Sequence, residues 1–76
     1  MVQELEKREA KIRITLAAAR VNAGYKQEDV IKMMHISKPT LISWEKGKTA
    51  PSIAQAQELC KIYRISFDYI NWLKSY

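Results

Sequence analysis

At 76 residues the chain can enclose one small hydrophobic core, which excludes two domains and favours a binding module over an enzyme with a deep pocket. Thirteen Lys and Arg against eight Asp and Glu leave a formal charge of +5, a bias that suits an anionic partner such as nucleic acid or a membrane surface. One cysteine and one histidine exclude a disulfide framework and a four-ligand zinc site built from this chain alone.

The opening residues MVQELEKREAK are too charged for a signal peptide, and no apolar run approaches the roughly 18 residues that cross a bilayer. A reduced, cytoplasmic setting without a membrane partner is expected. Val2 and Leu5 are only loosely spaced for a helical face, so residues 1–11 read as an extension of the first helix or a frayed arm, and residues 12–76 as the domain. Ile12, Leu16, Ala19 and Ala23 then keep the i, i+4, i+7, i+11 rhythm of one helical face, and Gly24 supplies a stop. Helix one is predicted over about residues 8–23.

Gln27 to Met34 predicts a second helix, with Glu28 and Asp29 in the first turn, where the macrodipole favours negative charge, and Val30, Ile31 and Met34 inward. After His35-Ile36, Ser37 is a good N-cap, Pro39 is tolerated in the first turn and Gly47 closes a third helix over about 38–46. Ser52 caps a fourth helix with Ile53, Ala56, Leu59, Cys60 and Tyr63 inward; Ser66 caps a fifth over about 67–74. In that fifth helix Phe67, Ile70 and Leu73 would face the core, leaving Tyr69, Trp72 and Tyr76 as a second apolar stripe.

Helix three carries the puzzle. Leu41 and Trp44 fall on its inner face, while Lys38, Pro39, Ile42, Ser43 and Lys46 make an outer face that is neither a solvated charged surface nor a buried apolar one. Two short helices joined by a few residues, the second uncovered on a mixed face, is the arrangement of a helix-turn-helix, whose second helix enters the DNA major groove. A lysine at the start of such a helix can donate to guanine O6 and N7, and the Thr40 and Ser43 hydroxyls can donate or accept at base edges. Ile42 or the Pro39 ring can meet a thymine methyl. Lys26, Lys32, Lys46 and Lys48 have no catalytic partner at useful spacing and suit phosphates, the contacts that set affinity and salt dependence.

From about Leu16 to Ile70 the chain resembles the phage repressor and Cro family of helix-turn-helix regulators, through AARVNAGYKQEDV, HISKPTLISWEKGK and the trailing APSI and LCKIYRISFDYI. The resemblance implies an all-α, five-helix domain of the lambda-repressor type without enzymatic activity, cofactor, metal or small-molecule effector. It implies base contacts from Lys38, Pro39, Thr40 and Ser43, to which the chemistry above adds Ile42, and phosphate contacts from Gln27 at the start of helix two and from Ser37, Lys46 and Lys48, with Lys26 added by its charge. It also implies a structural ion pair between Arg20 and Glu45, a double-stranded DNA operator as partner, and a repressor acting as a homodimer through Tyr69, Trp72 and Tyr76.

The chain departs from the family at three kinds of position. Ile31 stands where a small residue is usual, with Ala19 as the compensating space, and His35 and Arg64 stand at turns where glycine is common. The alternative reading is an antitoxin-type or protein-interaction module that uses the same helices to hold a protein, with Ile42 beside Pro39 as the apolar contact. His35 reads as a turn residue rather than a ligand, and Cys60 as a small hydrophobe.

Overall fold

The computed structural model describes residues 13–72. Four α-helices, α1 (Leu16–Asn22), α2 (Gln27–Met34), α3 (Lys38–Glu45) and α4 (Ile53–Tyr63), are followed by a 3₁₀ turn, Phe67–Tyr69. Two short strands, β1 (Ile14–Thr15) and β2 (Ile70–Asn71), pair in parallel, with Ile14 opposite Ile70 and Thr15 opposite Asn71. The ends of the described chain are thus held side by side.

The core is one cluster to which every helix contributes: Leu16 and Ala19 from α1, Val30 from α2, Leu41 and Trp44 from α3, Leu59 and Tyr63 from α4, joined by Ile70 from β2. Leu41, Leu59 and Val30 are wholly inaccessible, and each such aliphatic contributes about 1.5–3 kcal/mol through burial. Ile31, Met34, Cys60 and Ala23 pack at its edge, partly buried. Burial pushes the Cys60 thiol above its ordinary range, in keeping with a packing role.

One predicted helix is shorter than periodicity suggests, and one is replaced by other structure. Helix one does not run through residues 13–15: Ile14 and Thr15 are strand, and Thr15, extended at φ −70° and ψ 159°, caps α1 by accepting at Oγ1 from the Ala18 N–H at 3.0 Å. A β-branched pair that caps a helix cannot also continue it. Val2, Leu5 and Ile12 lie outside the described residues.

The fifth helix, and with it the five-helix count, is replaced by the 3₁₀ turn and β2. Ile70 leaves the turn extended at φ −108° and ψ 134°, which pairs its backbone with Ile14 and buries its side chain to 2 % exposure. Ser66 precedes the turn but makes no side-chain capping bond. Without the helix Phe67 does not face inward; it is exposed, as is Ile53 at the first position of α4, another residue expected in the core. Ile53 sits one residue after the Ser52 cap, where the helix has not yet turned onto the core.

Capping at the two other serines follows the expected chemistry. Ser37 Oγ accepts from the Thr40 N–H at 3.3 Å ahead of Pro39 in the first turn. Ser52 and Gln55 form a reciprocal box, each side-chain oxygen accepting from the other's backbone N–H at 3.1 and 3.0 Å.

All four helices end by one device. A residue at positive φ (Gly24 at 88°, His35 at 56°, Gly47 at 77°, Arg64 at 56°) turns the chain so that the next N–H reaches back five residues. Tyr25 bonds the Arg20 carbonyl, Ile36 that of Ile31, Lys48 that of Ser43 and Ile65 that of Cys60, at 3.0–3.2 Å. This is the hydrogen bond of a Schellman closure, and it answers carbonyls that the helix leaves unpaired. At His35 and Arg64 the same residue order recurs, a left-handed residue, an isoleucine packed on the core and a serine that opens the next element.

A side chain with a Cβ pays about 1 kcal/mol for the left-handed conformation that glycine adopts freely. Arg64→Gly is therefore expected to raise stability by up to about 1 kcal/mol, about 4–8 °C in the thermal midpoint of a domain this small. Calorimetry of the purified variant checks it; an unchanged or lower midpoint would mean that the arginine side chain contributes more than the turn costs.

Candidate nucleic-acid interface

α2 and α3 are joined by three residues, His35 to Ser37, and α3 is fixed from behind. Leu41 and Trp44, three residues apart on one face, are 0 and 5 % exposed, while Lys38, Pro39 and Lys46 are exposed and Thr40, Ile42 and Ser43 are half-buried. The mixed face is thus presented outward as a unit. Lys48 follows in the exposed loop, and Ser37 and Lys26 stand exposed at the N-terminal ends of α3 and α2.

A single carboxylate ties this unit to the rest of the domain. Arg20 Nε on α1 donates to Glu45 Oε2 at 2.7 Å and Nη2 to Oε1 at 3.4 Å, while Gln27 Nε2 at the start of α2 donates to the same Oε1 at 3.0 Å. Arg20 Nη1 also donates to the Tyr25 carbonyl at 3.0 Å, so the turn after α1 is held by the same side chain. The Arg20 and Glu45 side chains are only 13 and 7 % exposed. In that setting two opposite charges sharing parallel hydrogen bonds interact far more strongly than a surface pair. The neighbouring Tyr63 phenol, 5 % exposed, has its ionisation pushed well up, first by burial and then by the Glu45 charge.

The polar groups of the outer face are paired with one another. The Ser37 and Thr40 hydroxyls lie 2.8 Å apart, as do those of Ser43 and Thr49. Lys38 Nζ donates to Glu28 Oε2 at 3.4 Å with both side chains more than half exposed. Glu28 is accordingly held below the usual carboxylate range, first by a backbone hydrogen bond at the start of α2 and next by the Lys38 ammonium. An exposed pair of this kind is weak, so Lys38 is available to a stronger acceptor.

Gln27, expected at a phosphate, has one amide proton engaged by Glu45 and the other free to donate. The N-terminus of α2 behind it, with Lys26 alongside, offers N–H groups to an anion. Lys26 N–H is itself answered by Asp29 Oδ2 at 2.8 Å, which fixes the start of the helix.

Among the residues expected at a dimer contact, Tyr69 is exposed, and Tyr76 lies outside the described residues. Trp72 does not share a helical stripe with Tyr69, because no helix spans them: its ring stacks on Phe67 with centroids 4.9 Å apart, and its Nε1 donates to the Phe67 carbonyl at 3.1 Å.

The model of the helix-turn-helix family matches residues 16–70, most of the chain and all of the elements just described except β1 and the end of β2. The chain belongs to the helix-turn-helix family. It is also similar to an uncharacterized HTH-type transcriptional regulator, YgzD, of Bacillus subtilis (strain 168), at 29 % identity over 55 residues, 72 % of this chain and 83 % of that protein. No solved structure gives a significant match. Within this helix-turn-helix protein no described helix is long and apolar enough to cross a membrane, and no described group of His, Cys, Asp and Glu could hold a metal ion.

Two partners of the outer face, Glu28 and Thr49, are not evident residue by residue: Glu28 reads only as a favourable helix start, and Thr49 carries no pattern of its own. The signal for Thr49 was Gly47, whose positive φ sends the chain back over the helix end; for Glu28, a contact ten residues from Lys38 across the turn, no local pattern gives one.

Removing the Glu45 carboxylate would strand a nearly buried guanidinium. Glu45→Ala is expected to cost about 3 kcal/mol or more, about 12–24 °C in thermal midpoint. The double variant Arg20→Met with Glu45→Leu should recover much of it, because it leaves no unpaired charge. A Glu45→Ala midpoint within a few degrees of the parent would show that α3 is held by Leu41 and Trp44 alone.

Proposed function

We propose that this helix-turn-helix protein, a DNA-binding regulator of transcription, places α3 in the major groove of a double-stranded operator and acts as a repressor. The observation that supports this best is the division of α3: an inner edge sealed into the core and an outward set of two lysines, two hydroxyls, a proline ring and an isoleucine. The major groove offers matching features, acceptors at guanine, donors and acceptors at adenine and a methyl group at thymine. Lys38, Pro39, Thr40, Ile42 and Ser43 are the base-reading set. Lys26, Gln27, Ser37, Lys46 and Lys48 flank it and hold phosphates, which sets register and orientation.

Base contacts and phosphate contacts leave different marks. Lys38→Ala and Ser43→Ala are expected to weaken the operator by about 1–3 kcal/mol each and to relax preference at particular base pairs. Lys48→Ala should weaken cognate and random DNA alike and reduce the salt slope by about one. Site selection from a random duplex library supplies the operator for these titrations. Equal losses on both DNAs for all three variants would overturn the base-reading assignment, and binding insensitive to salt would favour a protein partner for this face.

The regulator is proposed to work as a homodimer on a two-fold operator, since one such module buries little surface and two half-sites multiply specificity. Support comes from an apolar hollow of about 150 Å³ lined by Ala50, Pro51, Ile53, Ala56, Phe67 and Trp72. Its rim includes Ile53, 75 % exposed, and Phe67, 48 % exposed, a concentration of apolar surface beyond scattered single residues. Ile53→Lys, at a site too exposed to disturb folding, is expected to reduce the sedimenting mass from two chains to one. A parent protein that sediments as one chain at every concentration, or an Ile53→Lys variant that still dimerises, would count against this surface.

A further inference from the structure

Ser43 is held from two sides by the turn that follows its helix. Gly47 at φ 77° reverses the chain, and the Lys48 and Thr49 N–H groups both reach the Ser43 carbonyl, at 3.0 and 3.5 Å. The Thr49 hydroxyl then meets the Ser43 hydroxyl at 2.8 Å. Three hydrogen bonds from the turn thus converge on one residue of the outer face, two on its backbone and one on its side chain.

The side-chain bond has a chemical consequence. A free serine on a helix samples several rotamers and can donate or accept at will. Paired to Thr49, its oxygen is fixed in place, and its single proton is either spent on Thr49 or released by it. When Ser43 donates to Thr49 it offers a base only lone pairs, which match the amino groups of adenine or cytosine. When Thr49 donates instead, the Ser43 proton is free for guanine O6 or N7 or thymine O4. The direction of the bond to Thr49 and the base edge that Ser43 can meet are therefore coupled.

We propose that Thr49 is a specificity-determining positioning residue, which fixes the rotamer of the Ser43 hydroxyl and couples its donor or acceptor role to that of Thr49 through the bond between their oxygens. The inference rests on the base-reading role of Ser43 proposed above. Thr49 is exposed, so the isosteric Thr49→Val removes the hydroxyl without opening a cavity, and Thr49→Ser restores it.

The test is the ratio of affinity for the selected operator to affinity for the same operator changed at the base pair that Ser43→Ala relaxes. Ser43→Ala is expected to lower that ratio about tenfold, in line with a good base contact. Thr49→Val should lower it in the same direction at the same base pair, Thr49→Ser should restore it, and the double variant should be no worse than Ser43→Ala alone. Affinity for random DNA and the thermal midpoint should stay at the parent values for Thr49→Val. If Ser43→Ala lowers the ratio and Thr49→Val does not, the positioning role is wrong while the base-reading role stands. Additive losses would also overturn it, by making Thr49 an independent contact, and no loss from Ser43→Ala would remove the base-reading assignment and this inference together.

Discussion

The Glu45 carboxylate is the point on which the arrangement of three helices depends. It sits at the last position of α3, and its two oxygens receive Arg20 from α1 and Gln27 from the first position of α2. Hydrophobic contact could press α3 against the domain in several rotations, because dispersion and burial are non-directional. Paired N–H donors are directional, and they fix the end of α3 relative to the start of α2. A helix that meets base edges, as proposed for α3, would need that second kind of constraint. Its cost is a carboxylate and a guanidinium taken largely out of water, tolerable only because each has its partners.

Short helices make the ends matter as much as the middles. None of the described helices exceeds 11 residues, a length at which isolated helices are marginal, so unpaired terminal groups are a large fraction of each. The four five-residue closures and the caps at Thr15, Ser37 and Ser52 answer those groups. They also set direction: three of the four closures aim the following residue, Tyr25, Ile36 or Ile65, at the core edge, and the fourth leaves Lys48 exposed. The turn between α2 and α3 is therefore specified by local chemistry, and the outward set of side chains follows from where that turn releases the chain.

The parts of this fold legible in sequence are those with a local physical cause. The spans of α2 and α3, the caps at Ser37 and Ser52, and the burial of Leu41 and Trp44 follow from periodicity and from hydroxyl and glycine positions. The strand pair was not legible, since Ile14 and Ile70 meet across nearly the whole domain and two residues a side are too few to show alternation. Without it, a helical period run through residues 67–74 turns Phe67 inward and aligns Tyr69 with Trp72, whereas the extended Ile70 breaks that phase. At the candidate interface the residue types and their outward direction were readable from one helix. The bonds that link them to Glu28, Glu45 and Thr49 were not, because they cross turns.

Those links bear on how the face would meet DNA. Lys38 is held by Glu28, Ser37 by Thr40, Ser43 by Thr49 and Gln27 by Glu45. In each pair the outer-face group keeps some capacity for a second partner: two further protons on the ammonium, a second amide proton, remaining hydroxyl lone pairs. Entry into a groove would then require little reordering of side chains, which lowers the entropic cost of association. The exception is Lys38, whose partner is an anion facing the same way as the lysine. Glu28 would be brought toward phosphates along with it, and that repulsion falls on every DNA sequence equally, whereas the gain from a guanine at Lys38 comes only from the right one. An acid placed beside a base-reading lysine thus lowers affinity for DNA in general while leaving the difference between sequences intact, and specificity is that difference.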